Sequence, residues 1–475
     1  MALVNVKTQS RLDLQAVEQN SRYPASPDST LAFIDQGSFL WLRASGQSNA
    51  AQCTWVYKRD IDFDGVRRTY DNLAHGLLGR RIECSPLPFG RHRWVSCHES
   101  PGIDTARPVR TYAALAGWID ERADIPVDPE FGPSWHFGVL PIEDYGTAVS
   151  LVASHSVIDG AGFCLAIADA AKGIRHDFGY PPPRSRSRRR ALVDDARQTV
   201  RNSPEVARAL VGMTKLAMKE LPGIARRDPA RSNEPSPPAR SEADDDRPAV
   251  VPTATVYIDL ADWDARAESL GGTSNSLFAG FAARMAARIG RLRAGDNMVT
   301  LAYPINDRTE NDLRANALKG IDFAVDPAPV TADLREIRGE MKQAIISKVG
   351  KFDEQEVVLP LTPLVPKVLV RKLPLAALGA DLPVGCSNLG EIDAAVACLD
   401  GTEADYVSMR LVEANLTKKS HELIGGELYL VSGRICGKVF ITFRAYRPGT
   451  ENSRHDLCEL ISDTLADFEL TGVIE

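Results

Sequence analysis

The chain has 475 residues, 44% hydrophobic and 25% charged, too many for one ordinary core and normal for a globular protein built in two lobes. Its formal net charge of −7 argues against nucleic acid as the main partner, because phosphate binding calls for a basic surface.

In chain order, MALVNVKTQSRLDLQ lacks the apolar core of a signal peptide. No stretch approaches the roughly 20 apolar residues of a bilayer span, so a soluble cytoplasmic protein is expected. TAVSLVAS (147–154) reads as a strand, and AGFCLAIADAAKGIR (161–175) carries helical spacing. Between them stands SHSVIDGAG, which places His155 just past a strand end and Gly160 in a turn.

Residues 181–252 differ from their surroundings. They open PPPRSRSRRR and close RRDPARSNEPSPPARSEADDDRPAVVP, compositions that bury too little surface to fold alone. Val206, Leu210, Met213, Ala217 and Leu221 recur three or four apart, as one face of an amphipathic helix requires. A solvated crossover with a helix inside it is the plainer reading. The alternative is peripheral membrane contact through residues 184–226, with five arginines in 184–190 leading an amphipathic helix onto anionic lipid.

Beyond it, TATVYIDL (253–260) reads as a strand, SNSLFAGFAARMAARIG (274–290) as a buried helix and NMVTLAYPI (297–305) as a strand. GELYLVSGR (426–434) and KVFITFRAY (438–446) alternate around a turn, and HDLCELISDTLADFEL (455–470) closes as an amphipathic helix. The expected fold class is therefore α/β with mixed sheets. The first lobe comprises residues 1–180, the crossover 181–252 and the second lobe 253–475. The eight cysteines (Cys53, Cys84, Cys97, Cys164, Cys386, Cys398, Cys436, Cys458) include no CxxC pair, which fits reduced thiols better than a zinc site or a disulfide framework. No metal is expected.

A histidine four residues before Asp-Gly suits proton transfer. A neutral imidazole has the right intrinsic affinity to take a proton from an attacking hydroxyl or amine. Asp159, folded back into the protein, needs a cationic partner, and Gly160 would permit backbone angles that a side chain resists. A packed histidine of no special chemistry is the competing reading of this string. Asn275 reads equally as a helix N-cap, and Ser387-Asn388 as a turn. His136 and His176 suggest only surface or packing roles. There is no GxSxG elbow and no Gly-rich phosphate loop after a strand.

The segment IPVDPEFGPSWHFGVLPIEDYGTAVSLVASHSVIDGAG resembles the bacterial wax ester synthase/diacylglycerol acyltransferase family, with its "PLD…PLW" segment, strand and HHxxxDG motif. Pro126, Val127, Asp128, Pro133 and Trp135 fill much of the first part, and Ser154 to Gly160 the second. ASPDSTLAFID (25–35) and PFGRHRWV (88–95) resemble earlier landmarks of that family. TSNSLFAGFAARMAARIGR (273–291), YPINDRTENDLRANALKGIDFAVD (303–326) and CSNLGEI (386–392) resemble later ones, in the right order. The wider group holds polyketide-associated acyltransferases, nonribosomal-peptide condensation domains and chloramphenicol-acetyltransferase-like folds.

The resemblance implies two chloramphenicol-acetyltransferase-like lobes with an active-site tunnel between them. His155 would be the general base and Asp159 a structural carboxylate paired to Arg308, or failing that Arg314. Gly160 would make the turn, while Ser387, Asn388 and Asn275 would line the tunnel or meet an oxyanion. The implied activity is transfer of an acyl group from a thioester to a small hydroxyl acceptor in lipid or secondary-metabolite biosynthesis. Acyl-CoA is the first choice of cosubstrate, and no cofactor is held permanently. A condensation-type enzyme fed by an acyl carrier protein's phosphopantetheine thioester, and a non-catalytic binding homologue, are the alternatives. Two departures stand out. Ser154 replaces the first histidine, and Asn275-Ser276 replaces an Asn-Asp pair, which favours acyl transfer in general over wax ester or triacylglycerol synthesis.

Overall fold

A computed structural model describes residues 28–225, 247–348, 357–365 and 382–475. The first lobe runs α1 (Phe33–Ser45), β1 (Ser48–Tyr57), α2 (Phe63–Leu73), β2 (Arg80–Glu83), β3 (Arg93–Ser96), β4 (Ile103–Thr105), α3 (Leu115–Ala123), β5 (Trp135–Ile142), β6 (Gly146–Ser154) and α4 (Gly160–Ala171). A long helix, α5 (Arg188–Ala225), follows. The chain continues through β7 (Thr253–Asp259), α6 (Leu260–Ser269), α7 (Ser274–Arg288), β8 (Val299–Asn306), β9 (Leu318–Val325) and α8 (Arg335–Lys348). It ends with β10 (Val384–Glu391), β11 (Tyr406–Ala414), α9 (Lys418–Leu423), β12 (Glu427–Ile435), β13 (Lys438–Tyr446), α10 (Arg454–Asp467) and β14 (Val473–Ile474).

Two mixed sheets carry these lobes, a five-stranded one in the order β11-β1-β6-β5-β4 and a seven-stranded one in the order β14-β7-β13-β12-β10-β8-β9. The period-2 pattern of β1 suits its place inside the first sheet, between β11 and β6. Cys53, Trp55 and Tyr57 are fully buried on one face, in a core with Phe163 and Ile167 of α4. Gln52 and Thr54 face the other side, where Gln52 Nε2 donates to Ile119 O and Ser150 Oγ. In the second lobe α7 is apolar over most of its surface, as a helix sunk in a core must be, with Arg284 and Arg288 on one edge paired to Asp467. Leu277, Phe278, Phe281 and Met285 join Val439, Ile441 and Phe443 of β13.

The division of the chain at 180 and 253 differs from the structure in one segment. β11 lies in the first sheet, antiparallel to β1 from Ser48↔Ala414 to Val56↔Tyr406. The stretch before it is stitched to the same lobe, with Trp55 Nε1 donating to Val396 O at 2.6 Å and Thr69 Oγ1 to Leu399 O at 2.7 Å. Without β11, β1 would present an unpaired edge.

The arginine-rich opening of the crossover also differs from a solvated linker. The Arg184 N–H donates to Glu83 Oε2 at 2.6 Å, and Arg186 pairs with Asp195 at 2.7 Å. α5 therefore begins inside the basic run. Side chains of the expected helix face at Ala217 and Leu221, and the crossover's stretch 226–246, lie outside the described residues.

Candidate active site

β6 ends at Ser154, and the chain turns sharply into α4. The His155 N–H donates to Asn49 O at 2.8 Å and the Val157 N–H to Ser154 O at 2.9 Å. Asp159 caps α4, its Oδ1 accepting from the Gly162 N–H at 2.7 Å, the usual task of an aspartate at this position. Asp159 Oδ2 accepts from the Ala317 N–H at 2.7 Å. Arg308 Nη2 stands 2.9 Å from Asp159 Oδ1, the two side chains being 7% and 5% exposed. These donors give a buried carboxylate the partners it requires. Arg308 Nη1 also donates to the carbonyls of Asp312 and Arg314, so one guanidinium pins two loops. Arg314 turns elsewhere, to Asp312 at 2.6 Å and Asp307 at 3.2 Å.

Gly160 corrects the expectation attached to it. It opens α4 as its first residue and has no left-handed backbone. Space is the constraint instead, because a Cβ here would lie 2.8 Å from Leu389 Cδ2 of β10. The turn of the first lobe thus abuts a strand of the second.

His155 is partly exposed and held from one side. Its Nδ1 lies 3.0 Å from Asn316 Oδ1. The Asn316 Nδ2 donates to His155 O at 3.3 Å and, at a longer 3.4 Å, to Asp35 Oδ1. Turning that amide over would set its oxygen against a carbonyl and a carboxylate, so the oxygen faces the imidazole. His155 Nδ1 consequently carries the proton, and Nε2, with no partner among the described residues, is the acceptor.

Asp35 sits in the first turn of α1 and is wholly buried. Its carboxylate accepts from the N–H groups of Ala315 and Asn316 at 2.9 and 2.8 Å. Burial pushes its pKa up, and these donors and the Arg80 charge only partly oppose that. Arg80, also buried, donates to Val157 O at 2.9 Å and to Leu313 O, and its guanidinium lies 4.0 Å over the Trp94 ring. Residues 315–317 are therefore gripped between Asp35 and Asp159, which fixes Asn316 beside His155. Neither Asp35 nor Asn316 drew attention in the sequence. Both lie inside quoted landmarks, ASPDSTLAFID and RANALKGIDFAVD, but no local pattern reveals that they meet across 281 positions.

In the second lobe, Asn388 Nδ2 donates to Asn275 Oδ1 at 2.8 Å, and Asn388 Oδ1 accepts from the Gly390 N–H. The Tyr303 phenol, whose pKa is raised by burial, has no hydrogen-bond partner among the described residues. Ser387 lies against Tyr429. Asn275 is not the N-cap of α7. Thr273 takes that place in a reciprocal pairing with Ser276, and a buried Ser276 thereby fills the role of the usual N3 acid. Ser154 is fully buried too. His136 and His176 are packed, His136 Nδ1 lying 2.9 Å from Arg122 Nη2 and His176 Nε2 3.0 Å from Asp169. Burial and the Arg122 charge lower the His136 pKa to about 4.

A cavity of about 460 Å³ opens between the sheets, lined by Gln52, Thr54 and Arg410 of the first and Thr253, Thr255 and Thr442 of the second. His155 is not in its wall.

No family model matches the chain, and no curated protein matches it. Solved structures do. The first condensation domain of the calcium-dependent antibiotic synthetase, in complex with substrate analogue 2a, superposes with a TM-score of 0.53 at 13% identity, over 94% of this chain and 100% of that one. Polyketide synthase associated protein 5 from Mycobacterium tuberculosis gives 0.52 at 13% identity, over 94% and 99%. The epimerization domain from the third module of tyrocidine synthetase B gives 0.50 at 12% identity, over 95% and 98%. The two-lobed fold is the one they share. At such identities the likeness concerns the fold alone.

Proposed function

We propose that this chain is an acyltransferase that moves an acyl group from a thioester, acyl-CoA first, to a small hydroxyl acceptor, with His155 as general base. The carrying observation is the bond between His155 Nδ1 and Asn316 Oδ1 at 3.0 Å, which leaves Nε2 as a proton acceptor on a partly exposed ring. Nε2 takes the acceptor's hydroxyl proton as its oxygen attacks the thioester carbonyl, forming the C–O bond. The tetrahedral oxyanion then collapses, the C–S bond breaks, and the departing thiolate takes the proton from Nε2. The products are an ester and a free thiol, with no covalent enzyme intermediate. Asp159 and Arg308 hold the turn, and Asn316 positions the base. Asn388, Asn275 and Ser387 are assigned to the facing wall, where one donor to an oxyanion is typically worth about 10²–10³ in rate.

The likeness to a condensation domain supports a second reading, in which the donor rides on a carrier protein's phosphopantetheine and an amine is an eligible acceptor. The deciding experiment is thiol release from short-, medium- and long-chain acyl-CoAs, and from an acyl carrier protein, with pooled alcohols and amines and product masses recorded. Acceptor-dependent release that falls about 10²–10⁴-fold in His155→Ala is expected. Release from the carrier alone selects the second reading. Silence with both donors, or release indifferent to His155, removes the catalytic reading and leaves a binding homologue.

A further inference from the structure

Helix α5 uses one side for the protein and leaves another bare. Ala191, Asp195 and Ala209 are buried, and Asp195 accepts from Ser85 Oγ of the first lobe. At about 100° per residue these three share one arc of the helix. Leu192, Val193, Val200, Leu210 and Val211 occupy a second arc about 100° wide. They are 38%, 49%, 71%, 46% and 55% exposed. Their row runs about 28 Å along the axis at the ordinary helical rise.

Arginines border this apolar row. Arg190, Arg197, Arg201 and Arg208 are all exposed and fall within about 40° of one another, on one flank of the apolar arc. Arg190 and Arg197 share Asp194 at 3.8 and 3.9 Å. Arg188, Arg189, Arg201 and Arg208 have no carboxylate partner among the described residues. Residues 184–214 hold eight arginines and three acidic residues in a chain whose total charge is −7. This concentration of unpaired positive charge runs against the sign of the molecule.

We propose that α5 is a docking surface for anionic lipid, lying flat with Leu192, Val200, Leu210 and Val211 in the acyl boundary and its arginines on the phosphates. An aliphatic row with guanidinium groups along its border matches a membrane interface, and lipid phosphate supplies the countercharge that the described residues do not. No described helix is long and apolar enough to cross a membrane, so the contact lies along the surface. The inference does not depend on the catalytic reading.

The test is sedimentation of the full chain with phosphatidylcholine vesicles, with and without roughly 30% phosphatidylglycerol, at low and high salt. Partition into the anionic vesicles, weakened by salt, is expected. The triple variant Arg197→Ser, Arg201→Ser, Arg208→Ser should lower the partition constant by about 5-fold per arginine. Val200→Ser with Val211→Ser should lower it by about 10-fold or more. Both variants should keep the parent's melting temperature, since these side chains face outward. Lack of partition, or partition indifferent to both sets, overturns the proposal. So does capture of a soluble acidic carrier protein by this face without vesicle binding.

Discussion

His155 Nδ1 and Asn316 Oδ1 stand 3.0 Å apart, and that one contact decides which ring nitrogen is free to accept a proton. Asn316→Ala removes the acceptor and lets the imidazole adopt either tautomer. Turnover should fall about 10–100-fold with little change in KM, and the acid limb of the pH–rate profile should move. Asn316→Gln, able to present the same oxygen, should recover part of the loss. An unchanged pH profile in the alanine variant would show that Asn316 is only packing.

Arg308 and Asp159 form a buried pair that is costly to break from one side. Arg308→Met leaves Asp159 with backbone donors alone, and the expected loss is about 3–5 kcal/mol, read as a lower unfolding midpoint. Asp159→Asn in the same chain should restore part of it. Arg314→Met should cost much less, because its partners are Asp312 and Asp307. Equal losses at the two arginines would contradict this assignment.

A methyl group at position 160 meets the end of the Leu389 side chain at 2.8 Å. Leu389 can swing, so Gly160→Ala should change stability by roughly 1 kcal/mol or less while moving the Leu389 side chain next to Asn388. Activity should fall more than stability. The double variant with Leu389→Ala should regain it. Failure of that rescue in a well-folded protein would mean that the methyl acts elsewhere than on Leu389.

Asp400 supplies a pH dependence with a definite sign. Burial raises its pKa, but Arg59 at 2.8 Å, Thr402 and the Asp62 N–H outweigh that and hold it below its ordinary value. A depressed carboxylate stabilises fully above the unfolded pKa near 4 and loses that contribution as pH falls through the folded value. Asp400→Asn should therefore cost about 1–3 kcal/mol at pH 7. The gap to the parent in unfolding experiments should narrow as the medium is acidified. A gap that stays constant from neutral to acid pH would assign the loss to geometry instead of charge.

Local periodicity made much of the fold legible. The strand expected at 147–154 spans Gly146–Ser154, and the helix expected at 274–290 spans Ser274–Arg288. YVSMRLVEA forms β11 against β1, a partner more than 340 positions away and beyond the reach of any window. The site divides in the same way. His155, Asp159 and Gly160 share one short string, and the resemblance placed Arg308 with them. Asp35 and Asn316 surfaced only once α1 and the 315–317 segment met. Gly160 is required by space and not by backbone freedom, which no local string reveals because Leu389 belongs to the other lobe.

The place of β11 beside β1 also sets a timetable for synthesis. Trp55 meets the carbonyl of Val396, 341 positions downstream. At the usual pace of translation that interval lasts about 20–70 s, during which β1 lacks the neighbour that closes its edge. A nascent first half therefore waits on the ribosome as an open template for wrong pairings, a natural client for chaperones. Expressed alone, residues 1–252 should aggregate, and adding back a peptide of residues 394–414 should help to keep them in solution.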